Sequence, residues 1–150
     1  MDKIAIVYAS CHQGNTRKLV EGLAETLDLT LIDAQECHQA DLSPYDLIGF
    51  ASGIDFGRFY DPVVQFLQEN LPEKKKVFFL YTCAKVSDRF IRQIHEEAVK
   101  KNAVSLGSYG CRGYNTYGPW KWIGGMNKNH PDQTEIQEAV RFVASLSAEQ

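Results

Sequence analysis

The sequence predicts an α/β protein: a five-stranded parallel sheet with helices on both faces. The strands predicted over residues 3–9 and 76–81 each open on a lysine and continue as unbroken apolar runs, Ile4–Ala9 and Val77–Tyr81, the pattern of strands buried on both sides. Such runs alternate along the chain with amphipathic helical segments, the signature of strand–helix–strand units. The segments after the strands' carboxyl ends are rich in Gly, Ser, Thr and aromatics, whereas those at the opposite edge are ordinary polar connectors.

Taken in order, the first strand covers residues 3–9. A helix follows over 15–27, with Leu19, Leu23 and Leu27 on one face and Val20 and Ala24 beside them. Leu29–Ile32 is a short second strand. Residues 34–45 are polar and mixed, with at most one helical turn before Pro44. Leu47–Ala51 forms the core of a third strand, and a helix over 61–70 presents Val63, Val64, Phe66 and Leu67. Residues 76–81 make the fourth strand. The next helix, over 87–101, turns Phe90, Ile91, Ile94 and Ala98 inward. Residues 103–109 are a weaker fifth strand, 110–131 a loop rich in Gly and aromatics, and 134–146 a last helix on Ile136, Ala139, Val140 and Val143. Right-handed crossovers leave few topologies for such a chain. Order 2-1-3-4-5 is expected, with a ligand crevice at the carboxyl ends of the first and third strands, where the winding reverses.

Composition narrows the function classes. The 150 residues are 44% hydrophobic, enough for one domain over 1–150 with a proper core. A net charge of −3 gives no electrostatic case for nucleic acid or an anionic membrane. No apolar run reaches the roughly 18 residues of a membrane span, and the first residues lack the layout of a secretory signal. Membrane insertion is therefore not expected, and the expected location is the cytoplasm. Cys11, Cys37, Cys83 and Cys111 form no C-x2-C pair, so no metal site is expected and the thiols should be free.

The loop Ala9–Lys18, ASCHQGNTRK, supports two chemistries. A strand that turns through Gly14 into a helix directs several backbone N–H groups and the positive end of the helix dipole at one point. Ser10, Asn15 and Thr16 add side-chain donors, and a phosphate fits. Alternatively, Asn15 or Thr16 simply caps the helix. Cys11 and Arg17 also stand in the C-x5-R spacing of a phosphatase loop, with Cys11 as nucleophile and Arg17 as phosphate binder.

Ser10-x-His12-x-Gly14-Asn15-Thr16 resembles the phosphate loop of flavodoxins, in the form found in a branch of short flavodoxin-like proteins. The segments Ala51–Phe59, Cys111–Pro119 and Ile123–Pro131 are similar to that branch as well. The resemblance implies a flavodoxin-like three-layer sandwich and a non-covalent FMN. It assigns the phosphate to Ser10, His12, Gly14, Asn15 and Thr16. It lays Ser52, Gly53, Ile54, Phe56 and Gly57 against the flavin ring, and closes the other side with Thr82, Cys83 and Ala84. Cys111, Arg112, Gly113 and Tyr114 come from the end of the last strand. A ring-stacking aromatic is physically expected, with Phe56, Tyr60, Tyr114 and Trp120 as candidates. Gly53 and Gly57 are the positions at which a peptide beside the ring can turn over cheaply. His12 beside a phosphate dianion would make binding pH-dependent. Cys83 and Cys111 read either as small buried fillers or as a catalytic thiol.

The resemblance implies electron transfer between redox partner proteins, a reductase and an acceptor, with weaker electrostatic steering than in more acidic relatives. Three alternatives stand beside it. One is a hydrolase similar to low-molecular-weight phosphatases using Cys11 and Arg17, although Lys18 stands where that loop carries Ser or Thr. Another is an FMN-free interaction module on the same scaffold. The third is an FMN-dependent oxidoreductase fed by a nicotinamide cofactor, for which no separate site is legible.

Overall fold

The computed structural model describes residues 2–10, 14–83, 85–112 and 131–148, the side chains of residues 112 and 148 apart. The elements are β1 (Ile4–Ala9), α1 (Asn15–Thr26), β2 (Leu29–Asp33), β3 (Leu47–Asp55), β4 (Arg58–Phe59), α2 (Asp61–Asn70), β5 (Lys76–Cys83), a 3₁₀ turn (Asp88–Ile91), α3 (Arg92–Val99), β6 (Val104–Arg112) and α4 (Gln133–Ala148). The five long strands pair in parallel in the order β2-β1-β3-β5-β6. This is the expected 2-1-3-4-5 topology.

Strand alternation sends side chains to two cores. On one face Val7, Ile48, Phe50, Val77, Phe79 and Tyr81 pack with Val63, Phe66 and Leu67 of α2 and Ile94 and Ala98 of α3. On the other, Ile4, Ile6, Leu47, Phe78 and Leu80 pack with Leu19, Val20 and Leu23 of α1 and Ala139 and Val143 of α4. Gly49 of β3 is needed for this second core, because a Cβ there would stand 2.3 Å from the Phe78 ring.

Three details depart from the sequence reading. Residues 52–60 are not simply a loop: β3 runs on to Asp55 and folds back through Phe56-Gly57 into β4, pairing Ile54 with Phe59 and Asp55 with Arg58. The expected helix over 87–101 divides into the 3₁₀ turn and α3. Asn102, at φ 57°, then reverses the chain in a left-handed conformation that asparagine tolerates better than most residues. β6 runs on to Arg112, three residues past the expected strand end at 109, so Gly110–Arg112 are strand and not loop; residues 34–45, read with at most one helical turn, contain turns and no helix.

Candidate functional site

The sheet register assembles the site. Ala9 of β1 stands beside Ser52 of β3, Gly53 of β3 beside Thr82 of β5, and Thr82 beside Cys111 of β6. One irregularity sets that last pairing. Val77 faces Ser105 but Phe79 faces Ser108, so β6 holds an extra residue. Gly107 lies at φ 135° within the bulge, a conformation that favours glycine. The shift brings Cys111 rather than Gly110 level with Thr82. It also places Gly110 beside Tyr81, whose ring occupies the space a Cβ on Gly110 would need.

The first loop leads into α1 through Gly14, at φ 71°, ψ 18°. Nothing lies within 4 Å of where its Cβ would be, so the conformation and not crowding calls for glycine. The first turn of α1 carries no acidic residue and Gly14 supplies no side-chain cap. Ser10 is the side chain that reaches back, its hydroxyl oxygen accepting the Arg17 N–H at 3.2 Å. Ser10 thus satisfies one of the free N–H groups of the first turn, and the Thr16 hydroxyl is turned to Thr82 instead. A helix start without a carboxylate leaves its dipole suited to an anion.

Thr16 turns inward. Its Oγ1 lies 3.0 Å from Thr82 Oγ1, both side chains being buried, and this bond fastens α1 to the end of β5. Arg17 points away along the outer side of α1, with Nη2 3.2 Å from Asp33 Oδ2 and Nε 3.9 Å from Glu21 Oε1. A guanidinium so engaged with two carboxylates is poorly placed to be the phosphate clamp of a C-x5-R loop.

The second loop is the β3–β4 hairpin. The buried Ser52 hydroxyl donates to the Gly53 carbonyl and accepts the Tyr60 N–H at 2.9 Å, clamping the base of the hairpin. The Tyr60 ring lies on Gly53, where a Cβ would stand 2.5 Å from the phenol oxygen. At the tip, Phe56 has φ 52° and Gly57 φ 77°, the two left-handed central residues of a tight hairpin turn. Phe56 is 93% exposed, an unusual state for an aromatic held in a strained backbone conformation. A Cβ on Gly57 would meet only open space. Gly53 itself lies in β3 and is not in the left-handed region, so Gly57 is the glycine of this pair whose φ is already positive.

Cys83 and Cys111 close the third side. Burial pushes the Cys83 thiol up to about 11 and raises the Cys111 thiol as well. Both stay protonated near neutrality, which fits small fillers and not a thiolate nucleophile. Tyr81, whose hydroxyl burial pushes up to about 12, donates to the Ser87 carbonyl at 3.0 Å and holds the loop after β5.

Of the residues expected at the site, Ser10, Gly14, Asn15, Thr16, Ser52, Gly53, Ile54, Phe56, Gly57, Thr82, Cys83 and Cys111 lie along this carboxyl edge, as does the backbone of Arg112. Cys11, His12, Ala84, Gly113, Tyr114, Trp120 and the Arg112 side chain lie outside the described residues. Tyr60 has a structural part that its sequence position did not disclose, and β4 was not legible at all. Among the described residues no cluster of His, Cys, Asp or Glu could hold a metal ion, and no helix is long and apolar enough to cross a membrane.

Comparison with known proteins agrees with this architecture. A family model described as a flavodoxin domain matches residues 5–113. An uncharacterized protein of Methanocaldococcus jannaschii is 34% identical over 146 residues, covering 96% of this chain and 97% of its own. Oxidised flavodoxin 2 from Bacillus cereus superposes with a TM-score of 0.65 at 20% identity, covering 99% of both chains. A flavoprotein from Lactobacillus acidophilus, solved in complex with FMN, superposes with a TM-score of 0.56 at 17% identity over 73% of this chain and 93% of that one.

Proposed function

The chain belongs to the flavodoxin family, and on that premise we propose that it is a single-domain carrier. In this reading it binds one FMN non-covalently and passes electrons between a reductase and an acceptor protein. The observation that carries the reading is a pair of glycines at the mouth of the crevice. Gly14 and Gly57 end the loops after β1 and β3, both lie in the left-handed region, and the Cβ each lacks would project into open space. A flat ligand with an anionic tail can approach such a backbone without meeting a side chain.

FMN would supply the redox chemistry when bound, and the chain's part is to bind, orient and shield it. The α1 start, with Ser10, His12, Gly14, Asn15 and Thr16, would hold the phosphate through backbone N–H groups, the Ser10 hydroxyl and the uncompensated helix dipole, the Thr16 hydroxyl being turned to Thr82. Ser52, Gly53, Ile54, Phe56 and Gly57 would lie along the ring, and Phe56 is a candidate to fold over it. Thr82, Cys83, Ala84, Cys111, Arg112, Gly113 and Tyr114 would complete the far side. The neutral thiols of Cys83 and Cys111 favour a dry wall with no charge beside the ring.

The test is the visible absorption of protein purified without added cofactor, repeated after addition of FMN and gel filtration. Two flavin bands that travel with the protein are expected. A protein that fails to retain added FMN would refute the carrier, and an aryl-phosphate assay on wild type and Cys11→Ser would then decide whether the hydrolase reading replaces it.

A further inference from the structure

An open groove of about 580 Å³ runs between the β3–β4 hairpin and the start of α3, next to the proposed flavin crevice. Phe56 and Arg58 form one wall. Arg89, Arg92, Gln93 and Glu96 form the other. Three guanidiniums against one carboxylate give the lining a balance of +2, counted over those residues alone, in a chain whose net charge is −3. Two of the three have a neighbouring partner. Arg89 stacks on the Phe90 ring at 5.3 Å, and Arg58 lies 3.9 Å from Asp61. Arg92 is the first residue of α3. The Gln93 side-chain oxygen is buried with no hydrogen-bond partner among the described residues.

We propose that the groove is a second anion site that takes a ligand of the nucleoside-diphosphate class. Planar guanidiniums match phosphate oxygens in two-point contacts. Glu96 would repel a purely anionic ligand, but its exposed carboxylate can accept from ribose hydroxyls. The exposed Phe56 ring offers a face on which a base can stack. An acidic protein surface is the rival occupant, and it would gain nothing from Glu96. The volume also falls in the range of small-molecule sites. The inference goes beyond the FMN reading and rests on the three arginines, none of which that reading uses. Phe56 and Gly57 are common to both sites, and a Phe56 ring folded over the flavin would leave only its outer face to a base.

The test is a titration of FMN-saturated protein with ADP, following the side-chain N–H signals of Arg58, Arg89 and Arg92 by NMR. Saturable shifts of these signals are expected. Arg89→Gln and Arg92→Gln should each weaken binding about ten-fold. Both residues are exposed, and circular dichroism would check that the variants remain folded. Glu96→Ala removes both the charge and the ribose acceptor, so it should tighten inorganic pyrophosphate more than ADP, a split that a merely electrostatic patch would not produce. If the arginine signals do not move at millimolar ADP, the proposal is overturned. It is equally overturned if only residues 10 and 14–17 respond, or if a polyglutamate peptide moves the arginine signals and ADP does not. Should the protein fail to retain FMN, the same signals in the FMN-free protein still decide the groove.

Discussion

Thr16 Oγ1 and Thr82 Oγ1 lie 3.0 Å apart, and each side chain is almost wholly shielded from solvent. This one bond joins the loop expected to hold a phosphate to the strand end expected to face a ring. Residues 66 positions apart in sequence are thereby fixed in one crevice.

Thr82→Val should cost about 1–3 kcal/mol, because it leaves the Thr16 hydroxyl buried without its partner. The double variant Thr16→Val with Thr82→Val should lose less than the sum of the two single changes, since the apolar pair has the right shape and orphans no hydroxyl. Urea unfolding of the four proteins in a double-mutant cycle measures this. Strict additivity would mean that the hydroxyl pair contributes nothing as a pair.

The raised thiol of Cys83 makes stability fall with alkaline pH. The thiol ionises near 9.0 when unfolded and at about 11 when folded. Between those values the unfolded chain releases a proton that the native state keeps, so unfolding is favoured as pH rises. The stabilising term is therefore fully present below pH 9 and is lost by about pH 11. Cys83→Ala should flatten part of that slope in unfolding curves taken at pH 8, 9 and 10. At pH 8 iodoacetamide should label native Cys83 and Cys111 far more slowly than the unfolded chain, with mass spectrometry as the readout.

The two glycines of the hairpin should respond differently to alanine. At Gly53 the new Cβ meets Tyr60 Oη at 2.5 Å and Cζ at 2.9 Å, and the strand cannot yield. A loss of about 1–3 kcal/mol is expected from overpacking, partly recovered by adding Tyr60→Phe. At Gly57 there is room, and the cost of about 1–2 kcal/mol comes from the left-handed backbone alone. Tyr60→Phe should not recover that loss. Thermal unfolding of the single and paired variants distinguishes the two mechanisms.

What could be read from sequence followed the physics that dominates each stretch. The run Ile4–Ala9 is buried throughout and shows as an unbroken apolar string. Asp61-Pro62 marks the start of α2, with proline in its first turn where no N–H is missed. The strand order follows from alternation and handedness, and the crevice follows from the order. β4 was illegible because two residues carry no period, and Phe56-Gly57 lacks the Asn-Gly or Asp-Gly signature of its turn. The split of the helix after residue 87 was illegible for another reason. The Ser87 carbonyl accepts both the Phe90 N–H, at 3.2 Å, and the Tyr81 hydroxyl from the end of β5, a side-chain bond that hydrophobic periodicity does not encode. The same holds for Ser10 as the group that satisfies Arg17 N–H. The motif named the residue but not its bond.

Phe56 is the sharpest case of a residue whose conformation opposes its type. A bulky side chain at φ 52° bears strain on the order of 1–2 kcal/mol, and at 93% exposure its ring recovers almost nothing by burial. Asparagine tolerates that conformation well and, followed by Gly57, would complete the preferred pair for such a turn. Phe56→Asn should therefore stabilise the FMN-free protein by about 1 kcal/mol. If the ring covers the cofactor, the same change should weaken FMN binding by about ten-fold, because an aromatic contact is worth roughly 0.5–1.5 kcal/mol beyond the area it buries. Chemical unfolding of the FMN-free variant and fluorescence titration with FMN give the two numbers. Opposite signs would show that strain at the hairpin tip is retained for the ligand. A gain in stability with unchanged FMN affinity would remove Phe56 from the site and leave Tyr60, Tyr114 and Trp120 as the aromatics to test.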